Sequence, residues 1–192
     1  MQILAFEEYK MRKILKNRRG LSTVITTLII LVVSILLATV VTYYAINVTS
    51  TRVEEESLYI SKQHAWVKSG DSQAAFIIIN TGGRDVIIDK ITVRGQECDW
   101  STVYYATTTE TVTNDLTYQT SLNGTTISIS TSTNVTLTQA STDLTLKSGY
   151  TMIVYIDDPD SLSLSDVGTT VGINVFTAQA QYYKECNVEA AS

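Results

Sequence analysis

The chain has 192 residues, with 14 Lys+Arg against 19 Asp+Glu and a net charge of −5. That acidic balance argues against nucleic-acid binding, which needs a basic footprint. With one histidine (His64) and only two cysteines, the chain has no paired histidines, no CxxC and no Ser/His/Asp spacing, so no catalytic residue, metal ligand or cofactor is assigned.

The basic residues crowd the N-terminus. Residues 1–20 hold Lys10, Arg12, Lys13, Lys16, Arg18 and Arg19 against Glu7 and Glu8, and no charged side chain follows until Arg52. An ordinary secretory signal has an apolar region of roughly 7–15 residues ending at a small-x-small site. This run is about twice that length, and its exits are poor: Leu36 lies two residues before Ala38, and Tyr43 two before Ala45. A membrane anchor fits, since roughly 20 apolar residues span a bilayer, and the basic head would stay in the cytoplasm.

Within the run, Ser22, Thr26, Ser34, Ala38 and Thr42 fall at steps of four, with Ile30 in the one gap. At helical periodicity they form a narrow stripe of small residues. Such stripes let helices approach closely in apolar surroundings. The helix is expected to continue through Arg52, Glu54, Glu55 and Glu56 as a solvated amphipathic extension to about Lys62. Some 40 residues would make it about 60 Å long.

From about Gln73 the period changes to two. Ala75–Ile79 and Val86–Val93 flank Asn80-Thr81-Gly82-Gly83-Arg84, which reads as a hairpin. Ile127 and Ile129, Val135 and Leu137, and Leu144 and Leu146 alternate with Ser or Thr. Tyr150, Met152, Val154 and Ile156 put one face inward. Val171, Ile173 and Val175 open a last strand whose apolar face switches near Phe176, as at a bulge. Eight to ten short strands of this kind imply an antiparallel, Ig-like β-sandwich. The predicted fold class is therefore α+β, a long N-terminal helix followed by a sandwich. Residues 107–151 are rich in Thr and Ser and carry no basic residue before Lys147. Their alternating Ile, Val and Leu read as strands with threonine on the solvent face, and not as a disordered stalk.

Three N-x-S/T sequons occur, at Asn47, Asn123 and Asn134. The short motif makes each a candidate glycosylation site. Asn123-Gly124 reads as an exposed turn, Asn134 as a strand edge, and Asn47 as a polar helix residue. In an oxidising compartment, Cys98 and Cys186 suggest a disulfide, worth roughly 4–5 kcal/mol for so long a loop. Asp157-Asp158-Pro159-Asp160 reads as an acidic turn and lacks the spacing of a calcium loop.

The stretch from Lys16 to about Tyr44 resembles the class III signal of archaeal type IV pilins and archaellins. In that family a membrane aspartyl peptidase cuts after a glycine that follows a basic residue. Arg19-Gly20-Leu21 matches, so the resemblance implies cleavage between Gly20 and Leu21. Bacterial type IV pilins carry a glutamate at the fifth mature position, and here Ile25 stands there, as in the archaeal branch. The implied organisation is a leader over 1–20, an apolar helix over 21–62 and an outer β-sandwich over 63–192. Cleavage would leave 8 basic and 17 acidic residues of the original 14 and 19, a net charge of −9, which suits a solvated extracellular surface.

The resemblance further implies a precursor held in the cytoplasmic membrane. Its partners would be the prepilin peptidase, an assembly ATPase with its platform, and identical subunits in a helical homopolymer used for adhesion. Two other products share the signal. One is an archaellin of a swimming filament. The other is a membrane-anchored extracellular binding protein, whose outer domain would carry an aromatic cleft drawn from Trp66, Trp100, Tyr104 and Tyr105. Those four residues are expected in or near the core.

Overall fold

The computed structural model describes the backbone of residues 2–191, with side chains except in segments 2–6, 13–19 and 51–54. The side chains of Lys13, Lys16, Arg18, Arg19, Arg52 and Glu54 therefore lie outside the described residues. The chain divides into two units, residues 1–51 and 52–192. In the first, helix α1 (Gln2–Glu54) runs without a break through Gly20.

The helix ends at Glu54, short of the expected Lys62. Leu58 and Ile60 alternate with Tyr59 and Ser61 and are both buried, so strand β1 (Leu58–Lys68) forms there instead. Burial at period two outweighs the weak helical preference of a charged, β-branched stretch. The three glutamates are thus not one solvated helix face. Glu55 and Glu56 lie beyond the helix, and half-buried Glu56 accepts a hydrogen bond from the Thr177 hydroxyl at 2.5 Å.

The second unit continues with β2 (Asp71–Asn80), β3 (Val86–Val93), β4 (Gln96–Glu97), β5 (Val103–Thr108), β6 (Thr126–Ser128), β7 (Asn134–Thr136), β8 (Thr138–Gln139), β9 (Leu144–Leu146), β10 (Thr151–Asp157), β11 (Thr170–Thr177) and β12 (Gln181–Ala190). One large curled sheet has the order β4-β3-β11-β12-β1-β2-β10-β5-β8, with β9 on β3, and β6 and β7 form a separate ribbon. Pairing is antiparallel except between β1 and β12, where Ala65 lies opposite Val188 in parallel register. The chain is accordingly α+β.

One local expectation changes, and a second holds in part. The Asn80–Arg84 segment is not a hairpin, because β2 and β3 are not neighbours in the sheet. The segment docks against the entry to β1, with the Thr81 and Gly82 N–H groups donating to Ser57 O at 2.9 and 3.1 Å. Buried Asn80 holds it there: its Nδ2 donates to Arg84 O at 2.8 Å and Leu146 O at 3.1 Å, while its Oδ1 accepts from the Gly82 N–H at 3.0 Å. The tight hairpin lies one strand earlier, where Ser69-Gly70 joins β1 to β2 and Gly70 takes a φ of +84°. Near the C-terminus, the switch of apolar face at Phe176 marks a full reversal into β12. Within it the Thr177 N–H donates to Ala180 O at 2.9 Å, and a register shift against β3 falls between Phe176 and Thr177.

Alternate residues of β2 and β10 feed two cores. Phe76, Ile78, Met152 and Val154 join Ile88, Ile91 and Ile173 in the first. Ala75, Ile77, Ile153 and Tyr155 point the other way and join Trp66 in the second. That second core is roofed by Leu116, Leu122, Ile127, Ile129 and Leu137. The Thr-rich stretch is therefore an ordered strap over the outer face of the sheet, with Thr126 and Ser128 exposed and Ile127 beneath. All of Thr151–Ile156 is buried in consequence, where one inward face had been expected.

Candidate functional site

The expected cleavage junction and the stripe both lie in α1, with Gly20 nearly opposite Ser22 at about 100° per residue. Every residue from Gly20 to Ser50 is exposed, and this 31-residue stretch is long and apolar enough to cross a membrane. At 1.5 Å per residue it extends about 46 Å, well beyond the roughly 30 Å of a hydrocarbon core. Gly20 has no local structural reason to be glycine. A Cβ there would meet nothing within 4 Å, and a helical glycine costs about 0.5–1 kcal/mol relative to alanine. Leu21 beside it is 65% exposed.

Three hydroxyls of the stripe are satisfied within the helix. Thr26 donates to Ser22 O at 2.9 Å, Ser34 to Ile30 O at 2.7 Å and Thr42 to Ala38 O at 2.8 Å. Thr39 and Thr49 bond back one turn in the same way, at 2.8 Å each. Each of these five hydroxyls thus has a partner that does not depend on water, which an apolar environment demands.

The other predicted residues are dispersed. Asn123 is exposed in a turn beside Gly124, whose φ is +71°. Asn134 is exposed at the start of β7. Asn47 is exposed on α1 and donates through Nδ2 to Tyr43 O at 3.1 Å. Cys98 and Cys186 are free thiols, contrary to the expected disulfide. Cys98 follows edge strand β4 and donates its N–H to Ile91 O of β3, whereas Cys186 sits in β12, with β3 and β11 between. Three strand spacings of about 4.8 Å exceed the roughly 7 Å that a disulfide can bridge. Burial pushes both thiols up to about 11.

A polar set that no sequence motif announces anchors the strap. A bulge between Ser61 and His64 puts Lys62 at a φ of +50°, and its ammonium donates to Thr113 O at 2.7 Å and Asn114 O at 2.5 Å. His64 stacks on Trp66 with ring centroids 5.0 Å apart and meets Asp115 at 3.0 Å. Tyr118 donates to Asp71, Gln73 pairs with the Gln119 backbone, and the Tyr155 hydroxyl donates to Thr117 O at 3.1 Å. The one available signal was Gln73 at the head of an apolar strand. A buried polar residue needs a partner, and this one implied a further layer.

The acidic turn is built as expected of a turn. Asp158 takes a φ of +42°, accepts from the Ser72 hydroxyl at 3.0 Å and donates its N–H to Ser72 O at 2.8 Å. Among the described residues no group of three His, Cys, Asp or Glu side chains is gathered. Trp66 is buried in the second core, while Trp100, Tyr104 and Tyr105 are half-buried against the two cores. No protein-family model matches the chain, and no curated protein matches it at a significant level.

Proposed function

We propose that this chain is the structural subunit of an archaeal extracellular type IV pilus, made as a membrane precursor and cut between Gly20 and Leu21. One observation carries the reading: a glycine with no steric or conformational role stands in an unbroken helix at the boundary of an uncharged, exposed apolar span. A residue kept at a cost to helix stability, with open space around it, suits recognition by another protein, here the prepilin peptidase.

After cleavage the helices bundle in the filament core and exchange lipid for neighbouring helices, aided by the close approach that the Ser22–Thr42 stripe allows. The assembly ATPase and platform draw subunits from the membrane. The β-rich unit, read in this proposal as an Ig-like sandwich, forms an outer sheath that carries glycans on Asn123 and Asn134 and serves adhesion. Its acidity keeps the filament surface solvated.

Mass spectrometry of protein sheared from cells tests the reading. A first residue of Leu21 in filament material is expected. An intact Met1 confined to the membrane fraction overturns it.

A further inference from the structure

The strand path of the large sheet ends at β4 and β8, and a groove of about 610 Å³ opens between residues in and just after them. Glu97, Asp99, Trp100 and Ser101 line it from the β4 side, and Gln139 and Ser141 from the β8 side. Its volume lies within the range of small-ligand sites.

Both walls are held in place. Asp99 caps the 3₁₀ turn Trp100–Thr102 by accepting from the Ser101 N–H at 2.8 Å. Gln139 Nε2 donates to Ser101 O at 2.5 Å and ties the two walls together, and the Ala140 N–H donates to Val103 O at 2.8 Å. The Trp100 indole packs partly against the first core while it lines the groove. Hydrogen bonds from Ser101 keep the Asp99 carboxyl below its ordinary range, so it stays an acceptor.

The unspent polar groups are of both kinds. Among the described residues, the Glu97 carboxylate, Gln139 Oε1, the Ser141 hydroxyl and the Trp100 indole N–H carry no hydrogen bond. We infer that this groove binds a neutral saccharide. Hydroxyl groups donate and accept at once, and so match a mixed set of acceptors and donors. The apolar face of a pyranose matches an indole held at a fixed angle. Two carboxylates repel an acidic glycan. A cation could use the acceptors and the ring, but it would leave the indole N–H unanswered. The inference goes beyond the filament proposal and stands whether or not the chain polymerises.

The test uses the full chain carrying Trp66→Phe, in a detergent without a sugar headgroup, so that Trp100 alone reports by fluorescence. Mannotriose, cellotriose and N-acetylchitotriose are titrated as neutral probes, with trigalacturonate and spermidine as acidic and cationic ones. Saturable change with at least one neutral trisaccharide is expected. Isothermal titration should then find affinity reduced at least tenfold in Trp100→Ala and severalfold in Glu97→Gln, each with an unchanged circular dichroism spectrum. Trp100→Phe, which keeps a ring, should retain part of the binding and so separates loss of the platform from loss of fold. Silence with all neutral probes, saturation by spermidine or trigalacturonate alone, or undiminished binding in Trp100→Ala overturns the inference. Leu21 at the N-terminus of sheared filaments would be unaffected by any of these outcomes.

Discussion

Gln73 holds Gln119 by both of its backbone polar groups: the side-chain Nε2 donates to Gln119 O at 3.1 Å, and Oε1 accepts from the Gln119 N–H at 2.9 Å. A side-chain amide in β2 thereby imitates a ladder pair and seats the strap on the sheet. Gln73 is only 1% exposed, so neither group has water as an alternative.

Gln73→Ala should therefore cost about 2–3 kcal/mol, the loss of two hydrogen bonds plus the cost of poorly satisfied backbone groups. Chemical denaturation measures the loss. Hydrogen exchange should localise it, with protection falling first at the Gln119 amide. Loss of protection spread evenly over β11 and β12 would contradict a local anchoring role.

Gly82 and Gly20 should respond in opposite ways. A Cβ at Gly82 would lie 2.7 Å from Glu55 O and 2.8 Å from Ser57 N. Both are backbone atoms that cannot rotate away, so Gly82→Ala should destabilise the β-rich unit by roughly 2–3 kcal/mol. Gly20→Leu meets open space and improves helix propensity, so helicity measured by circular dichroism should not fall. Under the proposed function that variant keeps Met1 as its first residue and stays in the membrane fraction.

The Tyr118–Asp71 contact predicts an alkaline transition. The hydrogen bond to Asp71, followed by burial and nearby carboxylates, pushes the Tyr118 hydroxyl from 10.0 up to about 12. Because the folded value lies above the unfolded one, this contribution is complete below pH 10. It is lost as pH rises through about 12. Ultraviolet titration of tyrosinate should reveal late-titrating residues, Tyr118 and the buried Tyr155, which is also raised to about 12. Tyr118→Phe should remove one of them and flatten the fall in stability over that window.

Both cysteines should be present as slow thiols. Since burial raises each to about 11, little thiolate exists at pH 8. Alkylation with iodoacetamide should be slow in the folded protein and reach both residues on unfolding. The intact mass should not change on reduction.

Much of this chain was legible in its sequence, for reasons that act locally. An uncharged run from Leu21 to Thr51 has one stable form in apolar surroundings, a helix. The β-branched alternation of Val86–Val93 and of Val171–Val175 states the strands directly, since side-chain direction in a strand follows sequence position. The exposed Asn123-Gly124 turn is equally local, because glycine and asparagine tolerate the conformation that a turn needs.

Tertiary structure alone decided which strands meet. Leu58–Lys68 became a strand because β2 and β12 flank it; the Ser69-Gly70 turn points to β2, but no local signal names β12. The two glycines after Asn80 read as a hairpin, but a buried asparagine and the entry to β1 direct the chain away from β3. Threonine and alternating leucine or isoleucine predict ordered strands without saying what they cover. Only the second apolar face of β2 and β10, with Gln73 waiting in it, turns residues 109–137 into a strap. The cysteine pair shows the same limit: number and compartment suggested a bond, and strand order set the thiols too far apart to form one.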